Sequence, residues 1–327
     1  MKSASRQHIL SRLSTASEAV SGDILAQELH ISRAAIWKHI DALRKQGANI
    51  QSHAGLGYQL CSDFFSAITL QAQCAKNHCI GKYIQCFDSL DSSNREAMRQ
   101  AEAGAKEGSV IIAEQQSAGR GRLGRTWHTV GDSLALSMIL RPPLSPEQVP
   151  QLSLLTAVAL QGALSQYCDD IRIKWPNDLL IHGAKVSGIL TEMRAEPGLV
   201  HAVIVGIGIN IKAPKQGWPK DIVQTVTALQ SHHENTISRL QCAASVLKNM
   251  DYWYHIYLEQ GFAPIRDAWW QAHAASGQKV RVHDGKSYIE GIAKALDEDG
   301  ALLLTTQHGT QRIIAGELEL LEQKVML

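Results

Sequence analysis

The sequence lacks any segment suited to crossing a membrane or directing secretion. No run of about 18 apolar residues, the length that a membrane-spanning helix needs, occurs in the 327 residues. The first residues, MKSASRQH, contain no apolar core of a secretory signal. We therefore expect a cytoplasmic protein without a membrane partner, and its apolar fraction of 45% suffices for a packed core.

Paired cysteines are also missing. None of the six cysteines forms a CxxC pair, and their spacing matches neither a disulfide framework nor a zinc module. They are Cys61, Cys74, Cys79, Cys86, Cys168 and Cys242. Metal ligation around His78 is an alternative that the same spacing disfavours, so we expect reduced, mostly buried thiols.

The chain has almost no net charge, at +1, which excludes a polycation. Residues 1–60 are the exception, because seven Lys and Arg against four Asp and Glu leave that segment at +3. Such a local excess permits contact with nucleic acid. The length suits two or three domains.

Residues 1–64 predict a winged helix-turn-helix domain that binds DNA. Apolar residues recur at helical spacing in 8–13, 22–30 and 32–45. Ser32 is a suitable N-cap for the third helix, and Gly47 is a suitable residue to end it. Two short strands, 48–53 and 57–60, surround a glycine-containing turn and would form the wing.

The helix after Ser32 is the candidate DNA-recognition helix. Its apolar positions Ile36, Ile40 and Leu43 leave an opposite face of basic and aromatic residues, which suits the major groove. The candidate DNA-binding residues are Ser32, Arg33, Trp37 and Lys38, with Lys45 and the acidic Asp41 on the same face. A small helical module that uses a solvated basic face for protein contact is the alternative.

The remaining chain predicts an α/β domain with a mixed sheet over 65–274, then a small β-barrel over 275–327. Strands are expected at 109–113, 134–140, 171–174, 186–193 and 202–209, and helices at 93–105, 151–167 and 237–258. After residue 275, four or five short strands are separated by turns at Asp284-Gly285 and Asp299-Gly300.

The segment Gly119–Trp127, GRGRLGRTW, interleaves three glycines with three arginines. Glycines let backbone amides approach a ligand, and arginines add bidentate donors, a combination that suits phosphate and carboxylate together. The glycines also match the GxGxxG dinucleotide fingerprint. Against that alternative, the arginines are foreign to it and the segment continues into Trp127-His128 rather than an apolar helix. The flanking strands disfavour a disordered RNA-binding tail.

A second motif, KWPNDL, follows the strand 171–173. Pro176 would end the strand, so Lys174, Asn177 and Asp178 would project at its end, where they could hold triphosphate and Mg²⁺. Surface residues chosen for solubility are the alternative.

Two glycine-containing strands complete the candidate site. In KVSGIL, Lys185 precedes an apolar strand in which Gly188 indicates close approach of a ligand. A surface lysine whose stem packs on apolar neighbours is the alternative for Lys185. In GIGIN, 206–210, the glycines share one face and the strand ends at Asn210.

These four motifs resemble, in order and spacing, those of the biotin protein ligase family, and the resemblance covers nearly the whole chain. Asp91-Ser92-Ser93-Asn94 is similar to an earlier segment of that family, DS[ST]N. The SRAAIWKHI pattern and the GLGY wing resemble the subgroup that is also the biotin operon repressor. Lipoate ligases and octanoyltransferases share the fold but lack the GRGRxGRxW loop in this form.

The resemblance implies an ATP- and Mg²⁺-dependent ligase that forms biotinyl-5′-AMP. The biotin would pass to a lysine of the biotin carboxyl carrier protein of acetyl-CoA carboxylase. It also implies a repressor of biotin biosynthesis genes that binds operator DNA as a homodimer, with biotinyl-5′-AMP as corepressor. The implied fold is a central α/β catalytic domain between a winged helix-turn-helix and an SH3-like β-barrel. A lipoate or octanoate transferase and a catalytically silent biotin-sensing DNA-binding protein stay open as alternatives.

The resemblance also implies roles for individual residues. Those for biotin are Ser92, Ser93, Asn94, Gln116, Gly119, Arg120, Gly121, Arg122, Lys185 and Gly188. Those for ATP and the adenylate are Arg120, Arg122, Arg125, Trp127, Lys174, Asn177, Asn210 and Trp218. Asp178 would bind Mg²⁺, and Lys185 and Arg120 would act on the reacting groups.

Three positions depart from the family pattern. Leu123 stands where some members have arginine, and His30 stands where many helix-turn-helix turns have glycine. The stretch Asn210–Trp218 is short for a loop that orders over adenosine. These departures bear on corepressor coupling more than on ligation.

Overall fold

The computed structural model describes residues 2–16, 18–45, 47–61, 64–222, 224–283 and 287–321. Its contacts divide the chain into two units, Met1–Lys76 with Ser238–Ala244, and Asn77–Ile237 with Ser245–Leu327. The domain boundaries at 64/65 and 274/275 stay predictions. No helix in the described ranges has both the length and the apolar composition to span a membrane.

The first unit contains the predicted helices and wing. They are α1 Lys2–Thr15, α2 Gly22–Leu29, α3 Arg33–Lys45, β1 Ile50–His53 and β2 Gly57–Leu60, and α4 Ala67–Gln73 follows them. β1 and β2 pair antiparallel. One core joins the three N-terminal helices to the wing through Ile9, Leu10, Leu13, Leu25, Ile36, Ile40, Leu43 and Ile50. The apolar spacing therefore predicted the packed faces correctly.

The turns of this unit follow the expected chemistry. Ser32 Oγ accepts a hydrogen bond from the Ala35 amide at 3.2 Å, which confirms the N-cap. Gly47 ends the third helix with φ +97, a backbone conformation that glycine adopts without strain. His30 has φ +52, so a non-glycine residue accepts the left-handed turn between α2 and α3.

The outer face of α3 is solvent-exposed, as predicted for a recognition helix. Trp37 is 55% exposed, and Arg33 and Lys38 are exposed beside it. Asp23 pairs with Arg33 at 3.3 Å, and Asp41 pairs with Lys45 at 2.8 Å. Acidic neighbours therefore offset part of the positive charge on this face.

The second unit is built on a seven-stranded mixed sheet. Its strands are β3 Tyr83–Leu90, β4 Ser109–Gln116, β5 Asp132–Leu140, β6 Ile171–Lys174, β7 Asp178–Ile181, β8 Ala184–Glu196 and β9 Leu199–Lys212. Their order is β3-β4-β5-β9-β8-β7-β6, and β3 and β4 are parallel while the other neighbours are antiparallel. The helices are α5 Ser93–Glu102, α6 Pro150–Leu164, α8 Ala263–Ala272 and, from Ser245 onward, α7 Arg239–Gln260. The mixed sheet is confirmed, although β3, β7 and α8 were not predicted.

Five short strands follow, as expected for the C-terminal segment. They are β10 Lys279–His283, β11 Tyr288–Leu296, β12 Leu302–Thr306, β13 Gly309–Ile313 and β14 Glu317–Leu320. They form one antiparallel sheet in the order β13-β12-β11-β10-β14. No pairing of β13 with β14 is found in the described residues, so closure into an SH3-like barrel stays a prediction. The turn at Asp299-Gly300 is confirmed, whereas Asp284-Gly285 lies outside the described residues.

The cysteine prediction was partly wrong. No disulfide joins the six cysteines in the described part of the chain. However, only Cys74 and Cys242 are buried, and Cys61 is exposed just after β2. The spacing could exclude a disulfide framework, but burial depends on where each strand and helix lies.

Candidate active site

One cavity of about 650 Å³ in the second unit collects the residues of all four motifs. The predicted biotin- and ATP-binding residues that line it are Ser92, Ser93, Asn94, Gln116, Arg120, Gly121, Arg122, Arg125, Trp127, Lys174, Asn177, Asp178, Lys185, Gly188, Asn210 and Trp218. Gly119 does not line the cavity. It lies against the Trp127 carbonyl, which a Cβ at this position would overlap. The volume is within the range of about 300–1,000 Å³ typical of small-molecule sites.

Three glycines of two neighbouring strands form the floor of this cavity. Gly188 of β8 pairs in register with Gly208 of β9, and Gly206 lies two residues from Gly208 on the same face. A Cβ at Gly206 would overlap the Asn94 amide, and one at Gly208 would overlap the indole of Trp127. The alternation of glycine and isoleucine in GIGIN predicted that both glycines lie on one face of the strand. Gly206 and Gly208 were nevertheless not among the predicted site residues.

If the cavity binds biotin, as the family resemblance implies, Gly206→Ala is expected to raise the KM for biotin about 5- to 150-fold, because displacing a packed group costs about 1–3 kcal/mol. The added methyl would push the Asn94 amide from its position. Steady-state kinetics with varied biotin measures this. In an Asn94→Ala background the same substitution should have little further effect, and an equal additional loss would contradict the steric explanation.

The buried start of α5 holds a hydrogen-bond network at one end of the floor. The Ser93 amide donates to Gln116 Oε1 at 2.8 Å, and Gln116 Nε2 donates to Thr129 Oγ1 at 3.1 Å. The Ser137 hydroxyl donates to Asn94 Oδ1 at 2.6 Å. Ser92 is buried, and its hydroxyl makes no capping hydrogen bond. These groups form a preorganised amide- and hydroxyl-lined end, which suits a neutral polar ligand group.

The segment Gly119–Trp127, here called the arginine loop, closes on itself through backbone hydrogen bonds. The Gly121 amide donates to the Arg125 carbonyl at 2.8 Å, and the Trp127 amide donates to the Gly119 carbonyl at 3.0 Å. At the tip, Leu123 has φ +55 and is 74% exposed. The Arg125 side chain pairs with Glu317 of β14.

Arg122 points to the KWPNDL segment. Its Nη1 donates to Asn177 Oδ1 at 3.0 Å, and Asn177 Nδ2 donates to the Ile189 carbonyl at 2.8 Å. Burial lowers the pKa of the Arg122 guanidinium, and the charges of Asp178 and Glu317 counteract part of that shift. A partly desolvated cation inside a cavity is a binding group for an anion such as phosphate or carboxylate.

Lys185 is not a solvated surface lysine. Only 19% of its side chain is exposed, and its Nζ pairs with Asp178 Oδ1 at 2.7 Å. Nζ also lies 5.9 Å from the centre of a Trp127 ring. On the backbone, the Lys185 amide donates to the Thr225 carbonyl at 2.9 Å. These contacts hold the ammonium inside the cavity, beside the loop.

The wall beyond Asn210 is longer than expected. Asn210 is buried, and its Nδ2 donates to the Thr227 carbonyl at 3.1 Å. After Trp218, the cavity wall continues through Asp221 and Gln224 to Val226, so more of this segment borders the cavity than Asn210–Trp218 alone. Its described residues after Lys212 and before Leu229 include no named strand or helix, and the sequence pattern therefore did not show where the segment ends.

Asp178 is the candidate Mg²⁺ ligand. Among the described residues, no group of three or more His, Cys, Asp or Glu side chains is placed to hold a metal ion. Asp178 is a buried carboxylate that lines the cavity between Lys185 and Arg122. Mg²⁺ is commonly bound by one or two carboxylates together with substrate phosphates. The residues therefore fit Mg²⁺ that arrives with a nucleotide, rather than a metal held by the protein alone.

Comparisons with known proteins agree with this geometry. The Biotin/lipoate A/B protein ligase family matches residues 86–210, an HTH domain matches 5–59 and the Biotin protein ligase C terminal domain matches 275–321.

Three relatives illustrate the similarity. A Bacillus spizizenii protein named Bifunctional ligase/repressor BirA is 35% identical over 324 residues, which cover 98% of this chain and 100% of that protein. A Biotin--[acetyl-CoA-carboxylase] ligase from Paracoccus denitrificans is 34% identical over 70% of this chain and 96% of its own length. The structure of the Aquifex aeolicus biotin protein ligase in complex with biotin and ATP has a TM-score of 0.63 and 28% identity, covering 74% of this chain and 100% of that one. With a bifunctional relative matched over almost its whole length, and with the family's motifs collected in one cavity, this chain belongs to the biotin protein ligase family, in the branch that carries a helix-turn-helix domain.

Proposed function

We propose that the protein activates biotin with ATP and transfers it to a lysine of a biotin carboxyl carrier protein, and that it also represses transcription. The observation that carries the ligase function is the cavity itself. Its amide-lined end and glycine floor lead to a cluster of Arg122, Lys174 and Lys185. Biotin and ATP match this arrangement. The neutral ureido ring of biotin suits the amide-lined end, and its carboxylate and the triphosphate of ATP suit the cluster of cations.

In the first step, a biotin carboxylate oxygen attacks the α-phosphorus of ATP. The bond from the α-phosphorus to the bridging oxygen breaks, and pyrophosphate leaves with the electron pair. Lys185 and Arg122 are placed to stabilise the negative charge that builds on the α-phosphate oxygens. Bound Mg²⁺, with Asp178 as its protein ligand, would neutralise phosphate charge.

In the second step, the neutral amine of a carrier lysine attacks the acyl carbon of biotinyl-5′-AMP. The bond between the acyl carbon and the phosphate oxygen breaks, AMP leaves, and the amide nitrogen loses a proton. Neither step needs a covalent bond to the enzyme. Catalysis depends on positioning and on fixed charge, which the paired Lys185 and the anchored Arg122 provide.

Arg122→Ala is expected to increase escape of the adenylate by about 10- to 150-fold, because one charge-assisted contact of about 1.5–3 kcal/mol is lost. The side chain connects the loop to Asn177 above the cavity. Biotin labelling of an unrelated protein in the presence of ATP, relative to the amount of adenylate formed, measures the escape, because Arg122 also contributes to adenylate formation. Arg99→Ala is the control, since 62% of its side chain is exposed and it does not line the cavity. Labelling equal to wild type would contradict a sequestering role for Arg122.

Pyrophosphate release tests the ligase function directly. We expect release that requires biotin, ATP and Mg²⁺ together, and little release when lipoate or octanoate replaces biotin. Activation of lipoate or octanoate instead of biotin would support the transferase alternative. Biotin binding without any release would support the silent sensor.

The repressor function is proposed from the first unit and from the bifunctional relatives. Arg33, Trp37 and Lys38 on the exposed face of α3 would enter the major groove of operator DNA. Ser32 would contribute from the N-terminus of the helix, where it acts as the cap. The corepressor would be biotinyl-5′-AMP, and the DNA-binding form would be a homodimer. DNA and the carrier protein as partners imply action in the cytoplasm.

A further inference from the structure

Glu192, which the sequence motifs did not single out, connects two parts of the cavity. It lies on β8 opposite Ile204 of β9, and only 23% of its side chain is exposed. Its Oε2 accepts a hydrogen bond from Asn94 Nδ2 at 2.8 Å, and its Oε1 pairs with Arg120 Nη1 at 2.7 Å. One carboxylate therefore joins the buried start of α5 to the base of the arginine loop.

This carboxylate determines which way the Asn94 amide faces. An ionised carboxylate only accepts hydrogen bonds, so Asn94 must present its NH₂ group to Glu192. The same NH₂ group donates to the Leu190 carbonyl at 3.2 Å, while Oδ1 accepts from Ser137 at 2.6 Å. Both N–H groups are thus occupied, and the remaining capacity of the Asn94 amide is one lone pair on Oδ1.

We propose that Glu192 is a positioning residue that sets the polarity of the biotin-binding end and holds the loop base beside it. The inference depends on the proposed function. With the amide fixed, Asn94 accepts from an N–H donor of the ligand, which the ureido ring of biotin supplies. The Leu190 carbonyl favours the same orientation, but a neutral amide at position 192 has one acceptor oxygen and cannot accept from Asn94 and Arg120 in the way that the two carboxylate oxygens do. The ion pair with Arg120 holds the base of the arginine loop against β8, the strand that carries Glu192.

Glu192→Gln tests this role with little change in volume. We expect the KM for biotin to rise about tenfold and the KM for ATP to change less, because the hydrogen bond to Asn94 lies at the biotin end, whereas the pair with Arg120 affects a loop that both substrates would contact. Glu192→Asp, which keeps an acceptor-only carboxylate, should recover part of the loss. Glu196→Gln is the matched control, since it lies on the same strand with 73% of its side chain exposed.

The Asn94→Ala background separates positioning from a merely structural role. There, Glu192→Gln should raise the KM for biotin clearly less than it does in the wild-type background, because the group it orients is gone and only the pair with Arg120 remains to be lost. Full additivity, or equal losses in biotin and ATP binding, would overturn the proposal. A wild-type protein that does not activate biotin would contradict the proposed function. An active wild type with an unchanged Glu192→Gln variant would contradict the role of Glu192 alone.

Discussion

Lys185→Ala is expected to slow biotinyl-5′-AMP formation by about 10²–10³-fold, the usual effect of removing one preorganised group that stabilises transition-state charge. The ammonium lies inside the cavity and is held by Asp178 at 2.7 Å. Its charge is needed most when the α-phosphate becomes more negative. The equilibrium binding of biotin should therefore change much less than the rate of the chemical step.

Single-turnover kinetics with biotin and ATP measures that rate. Lys212→Ala is a suitable control, because Lys212 also pairs with an aspartate, Asp132 at 3.4 Å, but its side chain is 41% exposed and does not line the cavity. Removing Lys185 leaves Asp178 buried without its partner, so the unfolding transition should be recorded for each variant. An unchanged single-turnover rate in a folded Lys185→Ala protein would remove Lys185 from the catalytic group.

Adenylate is expected to strengthen operator binding by 5- to 150-fold, the range for a coupling of about 1–3 kcal/mol. One helix-turn-helix with a net segment charge of +3, in which Asp23 and Asp41 pair with Arg33 and Lys45, makes few phosphate contacts. A monomer should thus bind DNA weakly at physiological salt, and two half-sites require a symmetric dimer. We propose that the adenylate orders loops around the cavity and thereby favours that dimer.

Sedimentation with and without adenylate, combined with a salt titration of operator binding, measures this coupling. Carrier protein should relieve both effects by consuming the adenylate. His128, directly after the arginine loop, pairs with Asp221 at 2.9 Å. This contact connects the loop to the segment beyond Trp218, so each segment can stabilise the other when the adenylate binds. A protein that stays monomeric with adenylate, or binds its operator equally well without it, would contradict the regulatory proposal and leave the ligase unaffected.

The motifs predicted most of the cavity because each is a short segment whose chemistry does not depend on distant partners. Gly119–Trp127 and 174–179 carry their own glycines, cations and turns. The strands β5, β8 and β9 were recognisable because they are long and apolar. β3, at the edge of the sheet, mixes exposed and buried positions, and β7 has only four residues after Asn177.

Contacts that depend on strand register could not be predicted. Asn94 meets Ser137 across 43 residues and Glu192 across 98, and both contacts follow from the pairing of β5, β9 and β8. The pair of Arg125 with Glu317 spans 192 residues and brings β14 to the cavity. No local pattern marks such partners, so Ser137, Glu192 and Glu317 were missed.

Transfer of biotin to a carrier lysine is the most direct test of the central claim. Purified protein is incubated with biotin, ATP, Mg²⁺ and the carrier domain of acetyl-CoA carboxylase, and the intact mass of the carrier is measured. We expect the mass to increase by one biotinyl group on a single lysine, with no increase when ATP is omitted. A carrier that stays unmodified, or that gains a lipoyl or octanoyl group when those acids are supplied instead, would contradict the assignment of this chain as a biotin ligase.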